Sequence, residues 1–290
     1  MRVRFSPSAL MKPTVIVILG PTATGKSAYA IELAKKYNGE IISADSRQIY
    51  KGLDIGTGKV TKEEMQGIPH HLLDIKDPSE TYSATEWKEH AEVAIEDILK
   101  RKKLPIVCGG TGYYIDALVY DKVFPDAPPL SEPILIPQNL DIDYKNPRKV
   151  QRAMELIAHY GHIPPVIINE PKYNFIQIGI DRSDLRERIE KRLQARMEAG
   201  MINEARLLHD NGLSFERMDE LGLEYRYLAQ YLKKEITKDE LLKILPTKIW
   251  QYARRQRTWF RRDKTIQWVA GDGRIELPTT VLETVVIPLN

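Results

Sequence analysis

The sequence predicts a parallel α/β sheet flanked by helices, with one interruption and a helix-rich C-terminal part. Three observations carry this. Short continuous apolar runs such as TVIVIL (Thr14–Leu19) and LPIVC (Leu104–Cys108) have the composition of strands buried on both faces. Segments of helical spacing alternate with them. A stretch with five prolines, at 125, 128, 129, 133 and 137, breaks the alternation, and from Ser183 to about Arg262 the chain is charged and helical.

The elements follow in order. After the strand Thr14–Leu19 comes a loop over Gly20–Ser27 and a helix over Ala28–Tyr37. A second strand covers Glu40–Ala44. Residues Lys59–Pro78 read as loop-rich. Ser83–Lys102 is an amphipathic helix entered through a Ser83/Glu86 capping pattern. The strand Leu104–Cys108 ends in Gly109-Gly110-Thr111-Gly112, and a helix restarts over Tyr113–Val119. Asn146–Tyr160 is helical, and Tyr173–Ile180 returns as a strand. The expected organisation is a leader over 1–11, disordered or preceding the true start; a first core part over 12–120; a shortened insertion over 121–145; a core continuation with basic helices over 146–270; and a tail over 271–290.

Composition bounds the function. The chain has 290 residues, 42% apolar, enough for a real core. A net charge of +3 does not by itself imply nucleic acid, so the placement of charge matters. The single cysteine, Cys108, excludes an internal disulfide and a Cys-rich zinc module and fits a reducing cytoplasm. No run of about 18 apolar residues suggests a membrane span. A soluble, monomeric protein is expected.

Gly20-Pro21-Thr22-Ala23-Thr24-Gly25-Lys26-Ser27 fits the phosphate-loop pattern G-x-x-x-x-G-K-[ST], between a buried strand and a helix. Backbone N–H groups and a helix N-terminus then face a polyphosphate, Lys26 adds a point charge, and the Ser27 hydroxyl can hold Mg²⁺. The loop does not say which polyphosphate.

Asp45 directly follows the second strand, so it projects beyond the carboxyl end of the sheet, beside the phosphate loop. It suits a general base or an acceptor for an amine N–H, and equally a helix cap. Ser46, Arg47 and Gln48 sit on the same rim. Two basic clusters follow, Arg148, Lys149 and Arg152, then Lys248 to Lys264. On a helix Arg254, Arg257 and Arg261 form a stripe behind which Ile249, Trp250, Ala253 and Phe260 face inward, a footprint for phosphates. Tyr252 and Trp259 could stack on bases, although Trp259 suits a core as well. The charged stretch Asp184–Glu198 supports itself through i,i+4 pairs and receives no function. Adjacent His70 and His71 suit a structural or rim role better than a metal site.

The run D-S-x-Q-x-Y-K-G-L-D-I-G-T over Asp45–Thr57 resembles the signature of the tRNA dimethylallyltransferases. The resemblance extends through P-H-H-L-L-D-I (Pro69–Ile75), G-G-T-G-x-Y (Gly109–Tyr114), N-P-R-K-V-x-R-A-M-E (Asn146–Glu155), G-L-E-Y-R (Gly222–Arg226) and R-R-Q-R-T-W (Arg254–Trp259). It implies transfer of a dimethylallyl group from its diphosphate to N6 of the adenosine just 3′ of the anticodon, flipped out of its stack. The donor diphosphate would lie in the phosphate loop with Mg²⁺. Asp45 would take the amine proton, Lys26 would stabilise the leaving group, and Thr24 and Arg226 would lie near the diphosphate. The positions implied for tRNA are Asp45, Ser46, Arg47, Gln48, Thr111, Arg148, Lys149, Gln151, Arg152, Arg254, Arg255 and Arg257; Thr111 equally suits a helix cap. Two departures stand out. The insertion that grips the anticodon stem in relatives is short and proline-rich here, and the Cys/His finger of eukaryotic relatives is missing, which implies a bacterial type. The rivals are a prenyltransferase for free adenine nucleotides, which needs no basic helix at Arg254–Arg262; a small-molecule kinase, which leaves Asp45–Thr57 unexplained; and a silent RNA-binding relative.

Overall fold

The computed structural model describes residues 12–137 and 139–270; the expected leader and tail lie outside the described residues. The chain divides into two compact units, one of residues up to Ile115 together with those from Lys172 on, the other Asp116–Pro171.

The first unit is built on a parallel sheet. Its strands are β1 (Thr14–Leu19), β2 (Gly39–Ser43), β3 (His70–His71), β4 (Leu104–Gly109), β7 (Asn174–Asp181) and β8 (Gln267–Ala270), in the order β3-β2-β4-β1-β7-β8. All neighbouring pairs are parallel. This is the expected α/β, P-loop NTPase-like sheet. β1 lies at its middle, with Val15–Leu19 fully buried; each such side chain is worth roughly 1.5–3 kcal/mol. The helices are α1 (Lys26–Lys36), α2 (Lys62–Met65), α3 (Ala84–Lys100), the start of α4 (Gly112–Val119), α6 (Leu185–Glu198), α7 (Met201–Asp210), α8 (Phe215–Glu220), α9 (Leu223–Leu232) and α10 (Lys238–Phe260).

Two cores result. One packs α1 against the sheet through Tyr29, Ile31, Leu33 and Ile41. The other gathers the inner faces of α6 to α10 around Ile49, Tyr50 and Leu53. The apolar residues inside the Asp45–Thr57 run therefore anchor that loop in the helical core. The Ser83/Glu86 capping box opens α3 as the sequence suggests. The loop-rich stretch 59–78 holds two elements too short to leave a periodic signal, the Thr61/Glu64-capped α2 and the two-residue β3. On β3, His71 meets the buried Glu40 carboxylate at 2.7 Å, which Arg101 and Lys103 also bind. No helix among the described residues is long and apolar enough to cross a membrane.

The second unit holds the hairpin β5 (Lys122–Val123) with β6 (Ile167–Ile168) and the helix α5 (Pro147–Tyr160), capped by the Asn146 side chain. The proline-rich stretch has little regular structure. Arg152 ties it down, donating to the carbonyls of Pro125 and Ala127 at 2.7 and 3.0 Å.

Candidate active site

The site forms where β1, β2 and β4 end. The phosphate loop leaves β1 and opens α1, with positive φ at Gly20, Ala23 and Gly25. That alternation of handedness makes a concave nest of backbone N–H groups. The buried Thr24 hydroxyl donates to Pro21 O at 3.0 Å, and Lys26 Nζ donates to the same carbonyl at 2.5 Å. Burial of the ammonium lowers the Lys26 pKa to about 8; Cys108 and Asp45 oppose the shift and Arg192 adds to it. Ser27 is exposed in the first turn of α1. Among the described residues no three His, Cys, Asp or Glu side chains gather to hold a metal. The Ser27 hydroxyl is the group that would hold a Mg²⁺ ion beside a bound diphosphate.

Asp45 stands one residue beyond β2. Its Oδ1 accepts from Arg47 N at 2.9 Å, an Asx turn. No helix follows, so the capping alternative is replaced by this turn. Thr111 fixes Asp45 from both sides. Thr111 N donates to Ala44 O at 3.1 Å, and Ser46 N donates to Thr111 Oγ1 at 3.0 Å. The Thr111 hydroxyl also reaches Ser46 Oγ at 3.3 Å. Gln48 Nε2 donates to Gly58 O at 3.4 Å, and Arg47 extends toward Gly222. Two buried aromatics brace the end of β2. Trp87 bonds Ser43 O at 2.9 Å and stacks on Tyr114, whose centroid lies 5.0 Å away.

The second half of the signature, Leu53–Thr57, is held with the adjoining Gly58 and Lys59 from α6, α7 and α9. A single carboxylate, Glu204, accepts from the backbone N of Asp54, Ile55 and Gly56 and from Tyr225 O–H at 2.7 Å. Lys59 is buried and donates to Tyr50 O and to Asp54 and Asp74.

Three arginines in one i,i+4 row on α6 each meet a loop of the site. Arg188 Nε donates to Ala23 O at 2.9 Å, Arg192 approaches Gly58 and adds its charge to the field at Lys26, and Arg196 donates to the carbonyls of Ile55 and Gly56. This row was missed in the sequence because it reads as a self-paired charged face. The signal that could have found it is the spacing Arg188-Arg192-Arg196 beside the apolar row Leu185-Ile189-Leu193. Arg226, expected near the diphosphate, is exposed and bonds Asp219, at 3.2 Å to its Oδ1 and 3.0 Å to its carbonyl.

The basic positions divide. On α10 Arg254 and Arg255 are exposed, the latter 5.7 Å above the Tyr252 ring. With Gln251, Thr258, Trp259 and Arg262 they line a groove of about 390 Å³, in which Arg262 covers the Trp259 ring at 4.1 Å. Arg257, expected in an RNA-facing stripe, turns to Asp181 at 2.6 Å, and Arg261 joins it at 3.2 Å. A carboxylate at the end of β7 thus takes up two of the three arginines of the stripe. In the second unit Arg148, Lys149 and Gln151 are exposed; Arg152 is engaged with the proline-rich stretch.

Residues 48–263 match the model of the IPP transferase family. The chain belongs to this family. It is 42% identical over 288 residues to a tRNA dimethylallyltransferase 2 of Treponema denticola, covering 89% of this chain and 96% of the relative. Among solved structures it resembles the tRNA delta(2)-isopentenylpyrophosphate transferase of Staphylococcus epidermidis, with TM-score 0.72, 34% identity and coverage of 94% and 98%. It also resembles the full-length tRNA isopentenylpyrophosphate transferase of Bacillus halodurans, with TM-score 0.73, 32% identity and 94% of each chain covered. In this IPP transferase the family match runs from Gln48 through the α6 arginine row to Asp263; the phosphate loop and Asp45 precede it.

Proposed function

We propose that this chain transfers a dimethylallyl group from dimethylallyl diphosphate to N6 of the adenosine immediately 3′ of the anticodon in tRNA. The observation that carries the reading is the convergence at one end of the sheet of Lys26, in a nest of backbone N–H groups after β1, with Asp45, just past the end of β2. The new bond joins N6 to the allylic C1. The C1–O bond breaks, and its electron pair leaves with pyrophosphate. The N6 proton passes to Asp45, whose Oδ2 is left for it by the turn at Oδ1.

Lys26, the loop amides and Arg192 oppose the charge that grows on the leaving group, where preorganised donors act most strongly. Mg²⁺ held by Ser27 and the diphosphate supplies further charge neutralisation when bound. The Thr111 clamp holds Asp45 in line, so that orientation supplies a large share of the rate for a weakly nucleophilic amine. The exposed arginines of α10 meet the phosphates of the anticodon loop, and the groove with Trp259 offers a surface for splayed bases. With tRNA as acceptor the place of action is the cytoplasm, and every group invoked comes from one chain, as a monomer needs.

The test is nucleoside mass analysis after incubation with dimethylallyl diphosphate, Mg²⁺ and unmodified tRNA. Free AMP goes in a parallel tube, and Asp45→Ala serves as control. N6-dimethylallyladenosine is expected in tRNA alone and absent with the variant. Product from AMP only moves the activity to free nucleotides; product from Asp45→Ala removes the base from its role.

A further inference from the structure

Gln256 lies on α10 between two arginines, yet it is buried. Both halves of its amide are used. Oε1 accepts from Thr22 N in the phosphate loop at 2.9 Å, and Nε2 donates to Gly110 O at 2.8 Å. The two partners fix the amide's orientation, since an N–H must meet the oxygen and a carbonyl the nitrogen. The second glycine-rich loop is shaped to admit this side chain: a Cβ at Gly110 would stand 2.5 Å from Nε2. One turn on, Trp259 fills the place where a Cβ at Gly112 would sit, 2.3 Å from its ring. Between them Thr111 holds Ser46 and so Asp45. The helix with the exposed basic face thus touches the donor loop directly and the base through Thr111.

We propose that Gln256 is a positioning residue for the donor diphosphate, acting from the acceptor-binding helix; this rests on the transferase reading above. It spans the ends of β1 and β4 and sets where Thr22 begins the nest that Lys26 completes. No other neutral side chain of this length offers one donor and one acceptor. A glutamate supplies only acceptors when ionised, and its second oxygen faces the Gly110 carbonyl. When protonated it reproduces both bonds. Burial raises such a carboxyl pKa into a range that can be titrated.

The experiment compares wild type, Gln256→Met and Gln256→Glu. It measures KM for dimethylallyl diphosphate and for tRNA, the Kd of inorganic pyrophosphate by calorimetry, and the thermal midpoint. Gln256→Met should weaken pyrophosphate and raise the donor KM about tenfold, the size of one lost buried hydrogen bond. The tRNA KM should stay where it is. Gln256→Glu should behave likewise at pH 8 and approach wild type as the pH falls toward 6, read as a ratio to wild type at each pH. Gln256→Met should show no such recovery.

Unchanged pyrophosphate affinity overturns the inference. So does a parallel rise of both KM values with a lower midpoint, the mark of a merely structural residue. Should Gln256→Met not fold, the pH ratio of Gln256→Glu decides alone, and its absence overturns the inference. If wild type makes no product but Gln256→Met still weakens pyrophosphate, the transferase reading fails and the role of Gln256 in the loop stands.

Discussion

Gly25 in the phosphate loop and the glycines of Gly109–Gly112 serve for opposite reasons. In the phosphate loop, Gly25 has φ +94° and open space where a Cβ would go. Gly25 is needed for backbone handedness alone, and the loop stays open at that point, while Gly20 at its start combines a positive φ with close approach of Ile180 O, 2.3 Å from where a Cβ would stand. In Gly109–Gly112 no glycine has a positive φ. There a Cβ would stand 2.1 Å from Ala44 O, 2.5 Å from Gln256 or 2.3 Å from Trp259. Gly109 lets the backbone after β2 close in, and Gly110 and Gly112 admit α10. One loop is shaped to receive an anion and the other to fasten the scaffold around it, although both read as "G-rich" in sequence.

This contrast can be broken in steps. Lys26→Ala attacks the receiving loop at its charge. It should lower kcat/KM by about 10³-fold, the upper range for one lost transition-state donor, while the thermal midpoint holds. A matching fall in stability would mean that Lys26 serves the scaffold instead. Arg192→Ala should raise the donor KM by about 10- to 100-fold, as loss of a charged partner does, and Arg226→Ala should leave it unmoved. The reverse result would return the diphosphate to Arg226.

Gly112→Ala tests the fastening loop. Overpacking against Trp259 should cost about 1–3 kcal/mol in denaturant titration, whereas Gly25→Ala should cost about 1–2 kcal/mol through backbone strain alone. Only Gly25→Ala should weaken pyrophosphate with little loss of packing. Equal effects on both readouts would erase the distinction between the loops.

A further effect is in pH. The folded pKa of Lys26, about 8, lies below its ordinary 10.5. Between those values the unfolded chain holds more protons, so without added diphosphate stability should rise with pH across that window. The rise should vanish in Lys26→Ala, and an identical slope in both proteins would assign it to another group.

Much of this architecture was legible in the chain. TVIVIL, the loop Gly20–Ser27 and the apolar LPIVC mark three sheet positions through composition and spacing. The placement of Asp45 follows from the end of a strand. What stayed hidden depends on partners distant in sequence. Arg257 and Arg254 look alike on a helical wheel until Asp181, 76 residues away from Arg257, claims one of them. Arg188 and Arg192 pass for members of a self-paired helix until Ala23 and Gly58 come alongside. Gln256 carries no charge and no period, so nothing local distinguishes it. Short elements such as α2 and β3 escape because a turn of helix or two residues of strand leave no pattern to count.

Glu204 has a consequence for selectivity. Three consecutive N–H groups at Asp54–Gly56 form a cradle much like those that capture phosphate, and a carboxylate of the same chain fills it. A tethered occupant acts at an effective concentration in the millimolar range or above, which a weakly bound free anion does not match. The protein thus answers one of its own anion traps internally. A soluble phosphate that reaches these three N–H groups finds them already taken by Glu204.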